Sequence, residues 1–137
     1  MPIYTLYDLL EKNLCDRAGQ TALVLGGTQV SYGELANRAE ALAAWMHERG
    51  IRRGDRVAVH LHKSIEEIIV TFAVVRIGAI IVNVSYQRSV PQLEHILHDC
   101  QVRLLFTDRR RAMLAEKAGA LRAVQEVVVL GRPDGIT

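Results

Sequence analysis

The chain contains four short apolar runs: VAVHL from Val57, IIVNV from Ile80, RLLFT from Arg103 and EVVVL from Glu126. Each begins 23 residues after the one before. A step of that length holds one strand, one helix and two short loops, which restricts the chain to repeated β-α units. The intervening segments, Ser64–Ile77, Ser89–Asp99 and Asp108–Gly119, read as helices, and the first two open on a serine whose side chain can cap a helix. Crossovers of this kind return the chain to the same end of the sheet, so the four strands are expected to be parallel with right-handed connections. The expected fold class is α/β, a parallel sheet with flanking helices.

Within this frame, IEEIIVTFAVVRIGAIIVNV from Ile65 to Val84 is the most apolar stretch. Ile65, Ile68, Ile69, Phe72 and Val75 recur at helical spacing while Val70, Ala73, Val74 and Ile77 fill other faces, so this helix is expected to be covered on more than one side. Gly78 gives the backbone freedom to leave the helix. Ile80–Val84 lacks polar alternation, as expected of a parallel strand buried on both faces. Ser31 with Glu34, Ser64 with Glu67 and Ser89 with Gln92 stand in capping-box positions, and Pro91 falls in a first turn, where a missing N–H is harmless.

Ahead of the repeats, Leu6, Leu9, Leu10 and Leu14 predict a short amphipathic helix. Two apolar runs, Ala22–Leu25 and Gln29–Tyr32, flank Gly26-Gly27-Thr28 and predict a hairpin whose glycines supply positive φ. Leu35, Ala39, Leu42 and Met46 line one face of a helix from Ser31 to Gly50, with Trp45 as a packing residue at its edge.

At 137 residues and 50% hydrophobic, the chain has enough apolar content for one core, and residues 1–137 are expected to form a single domain. A net charge of +2 without a basic arm or interleaved aromatics argues against nucleic acid. Arg109, Arg110 and Arg111 read as a solvated helix start. Cys15 and Cys100 form no CxxC, which suggests neither a disulfide framework nor a cysteine zinc site and fits a reducing cytoplasm. Asp8 and Glu11 interrupt any signal-peptide core. Arg76 and Gly78 break the longest apolar region before it could span a membrane.

Ligands of an open parallel sheet collect beyond the carboxyl ends of its strands, here His60–Ser64, Asn83–Arg88 and Thr107–Arg110. His60 with His62, and His95 with His98, each share a face, but no acidic ligand is fixed by spacing and zinc is not expected. Ser64 beside Lys63 has the look of an activated nucleophile, yet a serine before an apolar helix is first a cap. No phosphate loop of the GxxxxGK[ST] kind and no dinucleotide fingerprint occurs. The residues by themselves describe a scaffold without a catalytic set.

Longer segments do point to a family. VSYGELANRAEALAAWM, GIRRGDRVAVHLHKS and FAVVRIGAIIVNVSYQRSVPQLEHILHDCQVRLLFTD together resemble the opening of the adenylate-forming, AMP-binding acyl-CoA synthetases over Leu6 to about Leu130. The matching motifs are Ser31–Leu35, Gly54–Ala58, Arg76–Tyr86 and Gln92–Leu97. The resemblance implies the N-terminal subdomain of that fold, with the N-terminal helix and hairpin added to the sheet. It implies an intact parent that uses ATP and Mg to turn a carboxylic acid into an acyl-adenylate and passes the acyl group to a thiol, usually coenzyme A.

The family's phosphate loop, ribose-binding acidic motif and catalytic lysine find no counterpart here, so the chain alone is expected to be inactive, with no catalytic residue and no ATP, Mg or coenzyme A bound. Where the family commonly has Pro, Asn, Pro and Arg, this chain has Asn83, Ser85, Tyr86 and Gln87. That arginine approaches the coenzyme A phosphate in some members. Gln87 in that place does not supply the arginine, so the resemblance leaves two readings of Gln87 and Arg88: residues that only close the loop after the strand, which is the favoured one, or the rim of the coenzyme A phosphate site with Arg88 taking over the contact.

A non-catalytic binding or interaction module on the same scaffold is the alternative function. A Rossmann- or flavodoxin-type nucleotide domain is disfavoured by the missing glycine loop. A fragment of this kind is expected to self-associate as a homo-oligomer through apolar surface on the Ser64–Ile77 helix.

Overall fold

The computed structural model describes residues 2–131. In chain order its elements are α1 (Leu6–Arg17), β1 (Thr21–Leu25), β2 (Thr28–Ser31), α2 (Tyr32–Glu48), β3 (Arg56–His60), α3 (Ile65–Arg76), β4 (Ile80–Asn83), α4 (Val90–Asp99), β5 (Val102–Asp108), α5 (Arg109–Lys117) and β6 (Glu126–Leu130). They gather into two compact units. One takes in the chain up to Arg53 with Ser64–Ala79, the other Gly54–Lys63 with the chain from Ile80 onward.

In the first unit, α1 starts at a complete capping box. Thr5 accepts from the Asp8 amide, and the Asp8 carboxylate accepts from the Thr5 amide. The buried stripe of α1 is Tyr7 and Leu10, with Leu14 half-buried, while Leu6 and Leu9 of the expected leucine face are exposed. The hairpin forms its own antiparallel pair, β1-β2, closed where Leu25 pairs with Thr28. Only Gly26 of the two turn glycines has positive φ, 59°, as at the first central position of a type II′ turn, so Gly27 is not required for its backbone freedom.

Ser31 caps α2 by accepting from the Glu34 amide at 3.1 Å, and Ser64 caps α3 by accepting from the Glu67 amide at 3.1 Å. Tyr7, Leu10, Val30, Leu35, Ala36, Ile65 and Ile69 form the core of this unit. No apolar side chain of α3 is exposed; among its residues only Glu66 and Arg76 are. The expectation of cover on several sides therefore holds, and the expectation that this helix offers bare apolar surface does not. At the end of α3 the chain turns at Gly78, where φ is 74° and a Cβ would lie 3.1 Å from Cγ of Arg53. Both features favour glycine.

The second unit holds a four-stranded sheet in the order β4-β3-β5-β6, and all three pairings are parallel. The expected α/β class and parallel arrangement are thus present. The interior strands are the buried ones: Val57 to His60 of β3 and Leu104 to Thr107 of β5 are all inaccessible. IIVNV, expected to be buried on both faces, instead runs along the sheet edge with Ile80 51% exposed, because among the described residues β4 pairs with β3 alone. Leu93 and Leu97 of α4 pack with Ala58, Leu105, Ala115 and Ala120 into the core of this unit. Ser89 and Gln92 form the expected capping box of α4, with Pro91 in its first turn.

The chain leaves β3 for β4 on one side of it and leaves β5 for β6 on the other. Connections that diverge from two adjacent strands make the β3/β5 boundary a topological switch point, with a crevice beyond the carboxyl ends of those strands.

Candidate functional site

His60 is the last residue of β3 and stands in register with Thr107 of β5. The Thr107 hydroxyl donates to the His60 carbonyl at 2.9 Å, and both side chains are buried. Nδ1 of His60 lies 3.2 Å from the Val84 carbonyl oxygen. A carbonyl only accepts, so Nδ1 carries the hydrogen and Nε2 is a lone-pair acceptor. That Nε2 is buried without a hydrogen-bond partner. Burial holds the imidazole below its ordinary pKa and the charge of Arg111 adds to this, while the bond to Val84 and the carboxylate of Asp108 oppose it.

Tyr86 covers this histidine. Its ring stacks on His60 with centroids 5.5 Å apart and lies tilted against His62 with centroids 3.4 Å apart. The phenol donates to Oδ2 of Asp108 at 2.5 Å, and Oδ1 of Asp108 accepts the Arg111 amide at 2.8 Å as the cap of α5. Burial, then the hydrogen bond to Asp108, raises the Tyr86 phenol above its usual value. The guanidinium of Arg111 lies 4.6 Å from the centroid of the same ring. It donates to the carbonyls of Tyr86 at 2.5 Å and Arg88 at 3.4 Å. The Arg88 amide donates to the Ser85 carbonyl at 3.0 Å and closes the turn that displays the exposed side chains of Gln87 and Arg88.

The strand-end windows therefore do converge: His60, His62, Tyr86, Arg88 and Asp108 all meet here. Arg109 and Arg110 are exposed, as a solvated helix start requires, whereas Arg111 is half-buried and bonded inward. Nothing in the local sequence signals this, because the carbonyls it reaches belong to a turn 23 and 25 residues earlier in the chain. Ser64 serves its helix, and Lys63 is exposed. His95 and His98 lie on α4, where they line a shallow groove of about 350 Å³ with Glu94 and Arg122. Among the described residues no group of three or more His, Cys, Asp or Glu side chains is placed to hold a metal ion. No helix among them is long and apolar enough to cross a membrane.

Chemically the cluster has no nucleophile paired with a base, and the free nitrogen of His60 is sealed from solvent. What it offers outward is a guanidinium, Arg88, on a braced turn. Guanidinium is suited to phosphate and carboxylate oxygens.

A parallel four-stranded sheet of βα repeats with flanking helices defines the class, an α/β scaffold. The model of the AMP-binding enzyme family matches residues 10–136, and the chain belongs to that family. It is 29% identical over 134 residues to a long-chain-fatty-acid–CoA ligase of Escherichia coli O6:H1, covering 97% of this chain and 24% of that protein. It is 33% identical over 120 residues to a 3-hydroxybenzoate–CoA ligase of Aromatoleum sp. (strain CIB), covering 87% of this chain and 23% of that protein. The structure superposes on an anthranilate CoA ligase in complex with anthranoyl-AMP with a TM-score of 0.89 and 31% identity, covering 96% of this chain and 26% of that one. The fold is the one found in the N-terminal subdomains of such ligases. The chain spans about a quarter of the length of these relatives.

Proposed function

We propose that residues 1–137 are one domain, the N-terminal subdomain of a cytoplasmic, ATP-dependent acid:CoA ligase, inactive by itself. In the intact enzyme a carboxylic acid would be converted by ATP and Mg to an acyl-adenylate and then to a coenzyme A thioester. The observation that carries this reading is the family match over residues 10–136 in a chain about a quarter as long as the ligases it resembles.

The residues present fit part of that chemistry. Arg88 is an exposed guanidinium beyond the strand ends, and with Gln87 it would form the rim that meets a coenzyme A phosphate. For ATP and Mg the described residues supply neither a glycine-rich phosphate loop nor a set of acidic ligands, so no step is assigned to them here. Preorganised donors at the α-phosphate are what would lower the barrier to adenylation, and among the described residues no glycine-rich loop supplies them.

ATP–pyrophosphate exchange over a panel of fatty and aryl carboxylic acids tests the proposal. The purified chain should give background exchange only. Acid-dependent exchange by the chain alone would refute the inactive-subdomain reading.

A further inference from the structure

We propose that Arg111, working through Tyr86 and Asp108, is a positioning residue that fixes Arg88 for an anionic ligand; the identity of that ligand as coenzyme A rests on the reading above. A turn that ends in two exposed polar side chains would ordinarily be free to move. This one is held at both ends and across its middle. Its own closure is the Arg88 amide on the Ser85 carbonyl. Arg111 then bonds two of its carbonyls, Tyr86 and Arg88, and lies over the ring between them. The Tyr86 hydroxyl anchors the same ring to Asp108, whose other oxygen caps the helix that carries Arg111.

The charges support an inward role. Arg111 lies in the first turn of α5, where the helix dipole disfavours a cation. The Asp108 carboxylate, which caps the same turn, and the two carbonyls offset that cost, and the carbonyls accept from both terminal nitrogens of the guanidinium and so hold it inward. Among the described residues the Arg88 side chain makes no such bond, and it is exposed, so it is the cation of the pair that can reach a ligand. The two functions are thus divided: one arginine holds the turn, the other reads the anion. A lysine cannot replace Arg111, because a single ammonium cannot reach two carbonyls in a planar fork while stacking on a ring.

The test uses the isotopically labelled chain and its Arg111→Ala, Arg111→Lys, Tyr86→Phe and Arg88→Ala variants. Amide hydrogen exchange and a titration with coenzyme A are followed by NMR. In the Arg111 variants the Arg88 amide should exchange at least about ten-fold faster while the amides of β3 and β5 keep their protection, and added guanidinium ion should partly restore Arg111→Ala but not Arg111→Lys. Tyr86→Phe should loosen the same amide without disturbing the sheet. No resident coenzyme A is expected in the isolated chain, but coenzyme A added in excess should bind weakly through Arg88, and about three- to ten-fold more weakly in the Arg111 variants, the cost of ordering one mobile arginine on binding. Arg88→Ala should lose that binding and keep the turn protected. Equal Arg88 exchange in the unmodified chain, Arg111→Ala and Tyr86→Phe would overturn the proposal, and so would a loss of protection spread over β3 and β5. A turn that loosens as stated in a chain that coenzyme A does not perturb would support the positioning role and refute the coenzyme A reading.

Discussion

Acidification should destabilise this fold through His60, and the size of the effect follows from the site. The imidazole is buried, its Nδ1–H is committed to Val84, and its Nε2 has no partner. A second proton on Nε2 would create a buried N–H without an acceptor, in a ring already close to the cation of Arg111. The folded-state pKa is accordingly below the unfolded value of about 6.5. The sign follows: above the unfolded value both states are neutral at His60 and stability is full. As pH falls below it, the unfolded chain takes up a proton that the folded chain refuses, and stability declines until the folded pKa is reached. One proton is worth about 1.4 kcal/mol per pH unit over that window. Urea unfolding followed by circular dichroism between pH 5 and 7.5, in the unmodified chain and in His60→Asn, separates this histidine from the others. The asparagine amide keeps a donor for Val84 but does not titrate. The unmodified chain should lose stability on acidification more steeply than the variant, by up to that slope; parallel curves, or a gain in stability at low pH, would refute the reasoning.

Three further outcomes are expected. Ser64→Ala removes the cap of α3 and should cost about 1 kcal/mol, read as a lower midpoint in urea with an unchanged m-value. The Tyr7 phenol, pushed up to about 12 by burial and by its hydrogen bond to Glu40, should titrate late in ultraviolet difference spectra, and Glu40→Gln should bring it down toward the ordinary value. Self-association is expected to use the exposed Ile3, Tyr4, Leu6 and Leu9 of the first unit; light scattering should show a concentration-dependent rise in mass that Leu9→Glu reduces, and a monomer at high concentration would argue against it.

The features legible in the sequence are those decided between residues close in the chain. Ser31, Ser64 and Ser89 each cap a helix by accepting the amide three residues on, a relation that any window of four residues displays. The equal steps between apolar runs likewise report one strand and one helix at a time. Strand order is a different matter. IIVNV and VAVHL look equally suited to a sheet interior, yet β3 is central and β4 is an edge. Apolar content reflects whatever each strand finally packs against, and that includes partners the strand's own sequence does not name.

The site was legible in its parts and hidden in its assembly, and the same period accounts for both. Tyr86 and Asp108 are 22 residues apart, close to one βα repeat, so both fall at the carboxyl ends of their strands, Asp108 as the last residue of β5 and Tyr86 in the turn that follows β4. Those strands are not neighbours, because β3 runs between them. Two strand spacings amount to about 10 Å, a gap that only a long side chain crosses. Tyr86 crosses it to reach Asp108, and in doing so it passes over the end of β3 and closes His60 beneath its ring. The burial of His60, its unpartnered nitrogen and its resistance to protonation are therefore consequences of a strand order that places β3 between two successive repeats. Shortening the bridge should reopen the site: in Tyr86→Ala the imidazole would meet water, and the steep acid sensitivity assigned to His60 should fall to that of His60→Asn.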